Sequence, residues 1–201
     1  MLSNLLYKEL RLAAHPNLYV FTLLGALVIV PSYPYGMVFL FGCLGPYISF
    51  LYGRETNDIY YTALLPVKKR DTVKAKCMLL FLSQMAQLII SLPVAFLRHR
   101  FWPGNNPAGI EVNLAFYGVG LMVYAIFNLI FLPGFFQTAY KVGKPFLLAI
   151  VPATILVAAM EIAVHLPGFA WLDSLNPGDM LRQAPILLLG ILLYIRAMGL
   201  A

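Results

Sequence analysis

The sequence predicts an all-α integral membrane protein with about six transmembrane helices, and both composition and patterning point to this fold class. Of the 201 residues, 61% are hydrophobic and only 11% are charged, whereas a soluble domain typically has about 25% charged residues. The mean hydropathy is +0.82. The apolar residues form long runs, which are typical of membrane spans rather than of a soluble core. We therefore expect residues 1–201 to form a single transmembrane domain.

Residues 1–16 predict an amphipathic helix that lies in the headgroup plane of the membrane. Helical spacing places the apolar side chains on one face, formed by Leu2, Leu5, Leu6, Leu10 and Ala13. Polar and charged side chains lie off this face, and His15-Pro16 ends the helix. The alternative is a frayed terminus, because short helices are only marginally stable in isolation.

Two short spans are predicted within the uncharged stretch 18–53. As one helix, those 36 residues would run about 54 Å, far beyond a hydrocarbon core of about 30 Å. The turn-forming stretch 31–36, Pro-Ser-Tyr-Pro-Tyr-Gly, divides it into spans at 18–31 and 36–53. Further apolar runs predict spans at 77–97, 112–136, 145–166 and 184–195. The last run is only 12 residues long, so a re-entrant or tilted segment is the alternative there.

The distribution of Lys and Arg predicts the orientation. With the N-terminus in the cytoplasm, 11 of the 14 Lys and Arg residues fall on the cytoplasmic side, as the positive-inside rule requires. Both termini are then cytoplasmic. The net charge of +6 favours contact with membrane lipids and the cytoplasm rather than with nucleic acid, because the basic residues flank the apolar runs.

The connection between the second and third spans, residues 54–76, is longer than the 2–8 residues usual between packed helices. It contains an apolar pattern at helical spacing, formed by Ile59, Tyr60, Ala63 and Leu64. Pro66 stops this helix, and Asp71 or Thr72 is a suitable N-cap for the third span. A short helix across the cytoplasmic face, followed by a basic turn, is the expected shape of a docking element.

This connection resembles that of the type-2 ABC exporter permeases, in particular the small six-span bacterial subunits. Their signature has an acidic residue and an Asn after the second span, represented here by Glu55 and Asn57. A Leu-Pro-Val sequence with a basic cluster follows at 65–70, and Val-Lys-Ala-Lys at 73–76 enters the third span. One departure is the C-terminus, which leaves no cytoplasmic tail after the sixth span.

The resemblance implies a permease subunit of an ATP-driven exporter in the bacterial cytoplasmic membrane. The segment would be a coupling helix that docks on a separate P-loop ATPase, which binds ATP and Mg, while this chain binds no cofactor. The implied ATPase contacts are Glu55, Asn57, Asp58, Tyr60, Leu65, Pro66, Val67, Lys68, Lys69 and Arg70. A second permease chain, identical or different, would complete the transporter. The cargo would be an amphipathic peptide, an antibiotic or a lipid-like molecule.

An alternative role for the basic part of this segment is contact with anionic lipid. The basic residues by themselves would be sufficient for that role, and they are Lys68, Lys69, Arg70, Lys74 and Lys76. The ordered acidic, Asn and Leu-Pro-Val pattern is not needed for lipid contact, so it favours docking on a protein.

Polar residues within the spans are candidates for a substrate path. They are Glu161, His165, Gln84 and Asn128. Glu161 and His165 are four residues apart, a spacing that allows a pair on one helix face. The alternative is structural, because Glu161 lies near a span end and amides often join membrane helices. Arg98, His99 and Arg100 are predicted to contact lipid headgroups.

The sequence contains no recognisable catalytic or metal site. It has no phosphate-binding loop of the G-x-x-x-x-G-K-[ST] type, no H-E-x-x-H and no G-x-S-x-G. Cys43 and Cys77 lie in apolar surroundings and form no disulfide framework. Two other classes are the alternatives: a membrane enzyme that uses Glu161 and His165, or a non-transporting immunity or assembly protein that binds a partner.

Overall fold

Long helices account for most of the chain, which confirms the all-α fold class. The computed structural model describes residues 2–102, 106–138 and 141–200, and these residues form helices and connections without a strand. In chain order the α-helices are α1 Leu2–Lys8, α2 Pro16–Leu23, α3 Met37–Glu55, α4 Asp58–Leu64, α5 Lys69–Phe101, α6 Leu114–Thr138, α7 Gly143–Ala163 and α8 Pro177–Leu200. A π-helical turn at Glu9–Ala13 extends α1, and a 3₁₀ turn at Leu24–Ile29 extends α2.

Five helices are long and apolar enough to cross a membrane, namely α3, α5, α6, α7 and α8. They confirm the second to sixth predicted spans. The sixth is 24 residues long, or about 36 Å, because its polar first turns extend the helix beyond the apolar run at 184–195. Arg182 and Asp179 face each other in these turns at 3.7 Å.

The first predicted span, 18–31, is not a full crossing by itself. The helix covers the 14 residues Pro16–Ile29, the last six of which form the 3₁₀ turn, and this number of residues reaches only about 24 Å. Only together with Leu2–Ala13, from which it is bent by 91°, is it long and apolar enough to count as one additional, broken span. The bend lies at His15-Pro16, as predicted, and the His15 ring accepts a hydrogen bond from the Asn17 N–H at 3.1 Å.

The N-terminal helix packs its apolar face against α5 rather than leaving it uncovered. Leu5 and Ala13 on this face are buried. Glu9 lies on the same face and is 1% exposed, an exception that the apolar pattern of residues 1–16 did not show. Helical structure covers Leu2–Ala13 of the predicted segment 1–16, and its inward face carries a buried charge.

The third span departs from its prediction at both ends. It begins at Lys69 with Lys68 as the N-cap, so neither Asp71 nor Thr72 caps it. It continues to Phe101 rather than ending before Arg98, because its charged ends can lie beyond the hydrocarbon core or pair inside the protein. Residues 103–105 and 139–140, parts of two predicted connections, lie outside the described residues.

The chain alternates between two ends of the bundle. The α4 end carries α1, α4, the start of α5 and the last residues of α8. The opposite end carries the connections 30–36, 106–113 and 164–176. The helices before residue 102 pack into one group, and α6, α7 and α8 pack into another. The two groups meet where α3 and α5 contact α6.

Two glycines allow α6 and α8 to touch. A Cβ atom on Gly190 would lie 2.3 Å from the Gly118 carbonyl oxygen. Such small-residue contacts let membrane helices approach closely. We expect Gly190→Ala to lower the free energy of unfolding by about 1–3 kcal/mol, measured as a lower midpoint of thermal unfolding in detergent. Gly199→Ala on the same helix meets open space and is expected to be neutral. Equal midpoints for the two variants would contradict the close contact.

Candidate functional site

The connection between α3 and α5 contains the short helix that the sequence predicts. Asn57, which precedes α4, has a left-handed backbone with φ of 55°, a conformation that Asn tolerates better than most residues. This turn sets α4 sharply off the end of α3. Leu65 is extended and Pro66 follows, so the helix ends after seven residues.

One side of α4 and of the turn after it carries large side chains that are exposed in the described part of the chain. Tyr60, Tyr61 and Leu64 are 57%, 64% and 67% exposed. Basic residues continue this surface toward α5. We call this set the docking surface, and its exposed members are Glu55, Asn57, Tyr60, Tyr61, Leu64, Leu65, Pro66, Lys68, Lys69 and Arg70.

The docking surface differs from the sequence-predicted contact set in a few members. Tyr61 and Leu64 were not among the predicted contacts, although the aromatic pair at 60–61 was visible in the sequence. Val67 is half-buried, and Asp58 faces the inside of the protein. Of the four residues in the predicted apolar pattern of α4, only Ile59 is half-buried.

Asp58 belongs to a ring of four charges that joins α4 to α1 and α5. Its carboxylate lies 2.5 Å from the Lys8 ammonium and 3.0 Å from the Lys76 ammonium. The Glu9 carboxylate lies 3.0 Å from Lys8 and 2.9 Å from Lys76. Lys8 also donates a hydrogen bond to the Thr62 hydroxyl at 2.8 Å. Cations and anions thus alternate, and each carboxylate oxygen has a partner.

The ring keeps Asp58 ionised. Burial alone would raise the pKa of Asp58, but the ammonium groups of Lys76 and Lys8 outweigh burial and hold the pKa below its usual range. A carboxyl group with a lowered pKa stabilises the folded state above its unfolded pKa, and that stability is lost as the pH falls through the folded pKa.

This linkage predicts a loss of stability in acid. We expect the thermal midpoint of the wild-type chain to fall as the pH drops below about 4, the unfolded pKa of Asp, and we expect a shallower fall in Asp58→Asn. Asp179→Asn, at a more exposed pair, is the control and should retain the wild-type slope. The same slope in wild type and Asp58→Asn would exclude the ring as a source of acid sensitivity.

Polar side chains form a stripe along α5 toward the second group of helices. Gln84 and Asn128 exchange two amide hydrogen bonds of 3.0 and 2.9 Å, and the Tyr194 hydroxyl donates to Gln84 Oε1 at 2.9 Å. One turn further, Gln87 accepts from the Tyr124 hydroxyl at 2.6 Å. All these groups are buried, so they join α5 to α6 and α8 as membrane helices are commonly joined.

Two of the four substrate-path candidates are therefore paired with each other. Gln84 and Asn128 are both fully buried, and their amides point toward one another rather than into a cavity. This arrangement matches the structural alternative that the sequence left open for these two residues.

Glu161 lies at the opposite end of the bundle and binds two backbone groups. Its Oε1 accepts from the Gly36 N–H at 2.7 Å, and its Oε2 accepts from the Ile110 N–H at 2.9 Å. It thereby ties α7 to the connections before α3 and α6. His165 does not pair with this carboxylate, because its Nδ1 lies 2.9 Å from the Glu161 backbone oxygen. The pair suggested by the spacing is not formed.

Arg98 corrects another sequence-based expectation. It was predicted to contact lipid headgroups, but it is 2% exposed and its Nη1 lies 2.6 Å from Oε1 of the fully buried Glu111. Its guanidinium also lies over the Tyr35 ring at 5.3 Å. The Glu111 N–H donates to Asp173 at 2.6 Å. Only Arg100 of the three residues predicted at headgroups is exposed.

Within the described ranges, no group of three or more His, Cys, Asp and Glu residues is arranged to hold a metal ion. Three acids at the opposite end, Glu111, Glu161 and Asp173, bind backbone N–H groups.

The family follows from a sequence comparison that covers nearly the whole chain. A profile of the ABC-2 family transporter proteins matches residues 4–200. The chain belongs to the ABC-2 transporter family. This permease is therefore a multi-pass membrane protein and a transport subunit of an ABC transporter rather than an enzyme by itself, and the family implies an ATPase partner. Searches of curated proteins and of solved structures found no match.

Proposed function

We propose that this permease is the membrane subunit of an ATP-driven exporter and that its docking surface on α4 binds the partner ATPase. The observation that carries the proposal is the exposed face formed by Tyr60, Tyr61 and Leu64, which is held on a buried ring of charges. Aromatic side chains with adjacent basic residues are typical of protein interfaces, where Tyr and Arg are enriched.

The charge ring supports a mechanical role for α4. Lys76, at the base of α5, binds Asp58 of α4 and Glu9 of the N-terminal helix. A displacement of α4 by the ATPase would thus act on α5 directly. Helix α5 is 33 residues long, or about 50 Å, and it ends near the Arg98–Glu111 pair at the opposite end. ATP and Mg would be bound by the partner, and their binding would move α4 between two positions.

The uncovered helix faces are consistent with a second permease chain, identical or different. Only 22% of the most apolar part of α7, and the same share of α8, is buried inside the protein. The bundle interior is filled by aromatic packing, such as Phe39 against Phe116 and Phe127 against Phe131. A path for cargo would then form between two chains. The cargo proposed from the resemblance is an amphipathic peptide, an antibiotic or a lipid-like molecule, exported across the bacterial cytoplasmic membrane.

Purification of the tagged permease from its native host in mild detergent tests the proposal. We expect a P-loop ATPase to copurify with the wild-type chain and to be lost from a variant with alanine at four exposed positions, Glu55, Asn57, Lys68 and Arg70. The control carries alanine at Arg100 and Arg182, two exposed cations at the opposite end, and should retain the ATPase. Absence of an ATPase from all three preparations would refute the proposal and favour a non-transporting binding protein.

A further inference from the structure

A groove lies beside α4 and shares Lys69 with the docking surface. It is bounded by α4, the first turns of α5 and the end of α6, and its volume is about 480 Å³. This size lies within the range of about 300–1,000 Å³ usual for small-molecule sites. Most of its wall is apolar, formed by Ile59, Ala63, Val67, Val73, Phe135 and Phe136.

The polar part of the groove is cationic. Lys69 and Lys76 line it together with Thr62 and Thr72, and none of the described lining residues is acidic. Lys76 is neutralised by the charge ring, and the Thr62 hydroxyl accepts from Lys8 and donates to the Asp58 carbonyl oxygen at 2.7 Å. Lys69, which is exposed, is therefore the groove cation whose charge the ring does not balance.

The two parts of the groove are arranged as an amphiphile requires. Phe135 and Phe136 belong to the membrane-spanning helix α6, so the apolar wall continues toward the hydrocarbon core. Lys69 stands at the start of α5, before the apolar run at 77–97, on the side of the span where a lipid headgroup would lie. The bias of Lys and Arg predicts that this end is cytoplasmic, and the cytoplasmic leaflet is the one rich in anionic lipids.

We propose that the groove between α4, α5 and α6 binds one anionic phospholipid, with its phosphate at Lys69 and an acyl chain against Phe135, Phe136 and Val73. Charge complementarity selects this occupant, because a cation above an apolar wall favours an anionic amphiphile over a neutral one.

The lipid site is separate from the ATPase docking proposed above. Tyr60, Tyr61 and Leu64 do not line the groove. Arg70 lines a different groove, between α5 and the end of α8. Lys69 is the residue that the lipid site and the docking surface share, so the test below uses the purified permease without its ATPase.

Native mass spectrometry of the delipidated full chain, titrated with phosphatidylglycerol or phosphatidylcholine, tests the proposal. We expect phosphatidylglycerol to bind more tightly than phosphatidylcholine, and Lys69→Gln to weaken its binding about fivefold. Ala63→Trp, which fills the groove from its exposed side, should remove the one-lipid complex. Arg11→Gln removes the same charge from an exposed position outside the groove and should bind as wild type does.

Three results would overturn the lipid site: equal binding of the two lipids, wild-type binding by Lys69→Gln, or an equal loss in Arg11→Gln. Lys69 is exposed, so its substitution does not depend on repacking, and the test stands even if Ala63→Trp fails to fold. Because no ATPase is present, failure here leaves the docking proposal untouched, and loss of ATPase capture leaves the lipid site untouched.

Discussion

Substitution of Lys76 by methionine is expected to lower the free energy of unfolding of the permease by about 3–5 kcal/mol, the usual result of breaking a buried ion pair from one side. Lys76 is 6% exposed and neutralises two carboxylates. Without it, Glu9 and Asp58 would share Lys8 as their partner in the ring. The change is measured as the midpoint of thermal unfolding in detergent, followed by the fluorescence of Trp102 and Trp171.

Two further variants separate the charge ring from a general effect of removing a lysine. Lys74→Met lies on the same helix at an exposed position, so it should change stability by no more than about 0.5 kcal/mol. Glu9→Leu combined with Lys76→Met leaves the Lys8–Asp58 pair intact and should regain most of the loss. A Lys76→Met midpoint equal to that of Lys74→Met would show that the ring does not hold α4.

At the opposite end, Arg98→Met is expected to destabilise the permease by a similar amount, about 3–5 kcal/mol. The substitution removes the guanidinium that pairs with the Glu111 carboxylate, and this carboxylate is fully buried. The same thermal measurement applies. A buried carboxylate that has lost its countercharge is costly because it is shielded from water.

The double variant Arg98→Met with Glu111→Leu removes both charges and is expected to recover most of the stability. Arg100→Met provides the matched control, because it is two residues away and exposed. If Arg98→Met and Arg100→Met unfold at the same temperature, the Arg98–Glu111 pair does not seal this end of the bundle.

The spans could be predicted from the sequence because their causes are local. Long apolar runs predict helices, and the apolar residues at helical spacing before Pro66 predict a short helix ending at that point. The second to sixth spans and α4 all follow from such patterns. The length of α8 did not, because its first turns are polar. The first span was predicted as a short segment of 14 residues at 18–31, and the helix over Pro16–Ile29 has the same length.

The buried charges could not be predicted in the same way. Glu9 and Lys76 are 67 residues apart in the chain, and Gly36 and Glu161 are 125 apart. A charged residue near a span end is normally expected to reach the membrane surface. The local sequence around Arg98 does not show that this residue forms a buried ion pair with Glu111. The i, i+4 spacing of Glu161 and His165 was misleading for the same reason, since distant N–H groups occupy the carboxylate.

The place of the short helix α4 was predictable, but the set of side chains that it exposes was only partly so. The segment pattern indicates where a partner would bind. Which side chains face outward depends on how α4 rotates onto the charge ring, and that rotation turns Asp58 inward and Tyr61 outward.

Site-specific photocrosslinking in the native host tests the central claim most directly, namely that a P-loop ATPase binds the docking surface. A benzophenone amino acid replaces Tyr61 on α4 or, as the control, Phe169, an exposed aromatic residue at the opposite end. We expect a crosslink from position 61 to a P-loop ATPase and none from position 169. Membranes in which position 61 crosslinks no ATPase, or in which both positions crosslink it equally, would show that the ATPase does not bind this surface.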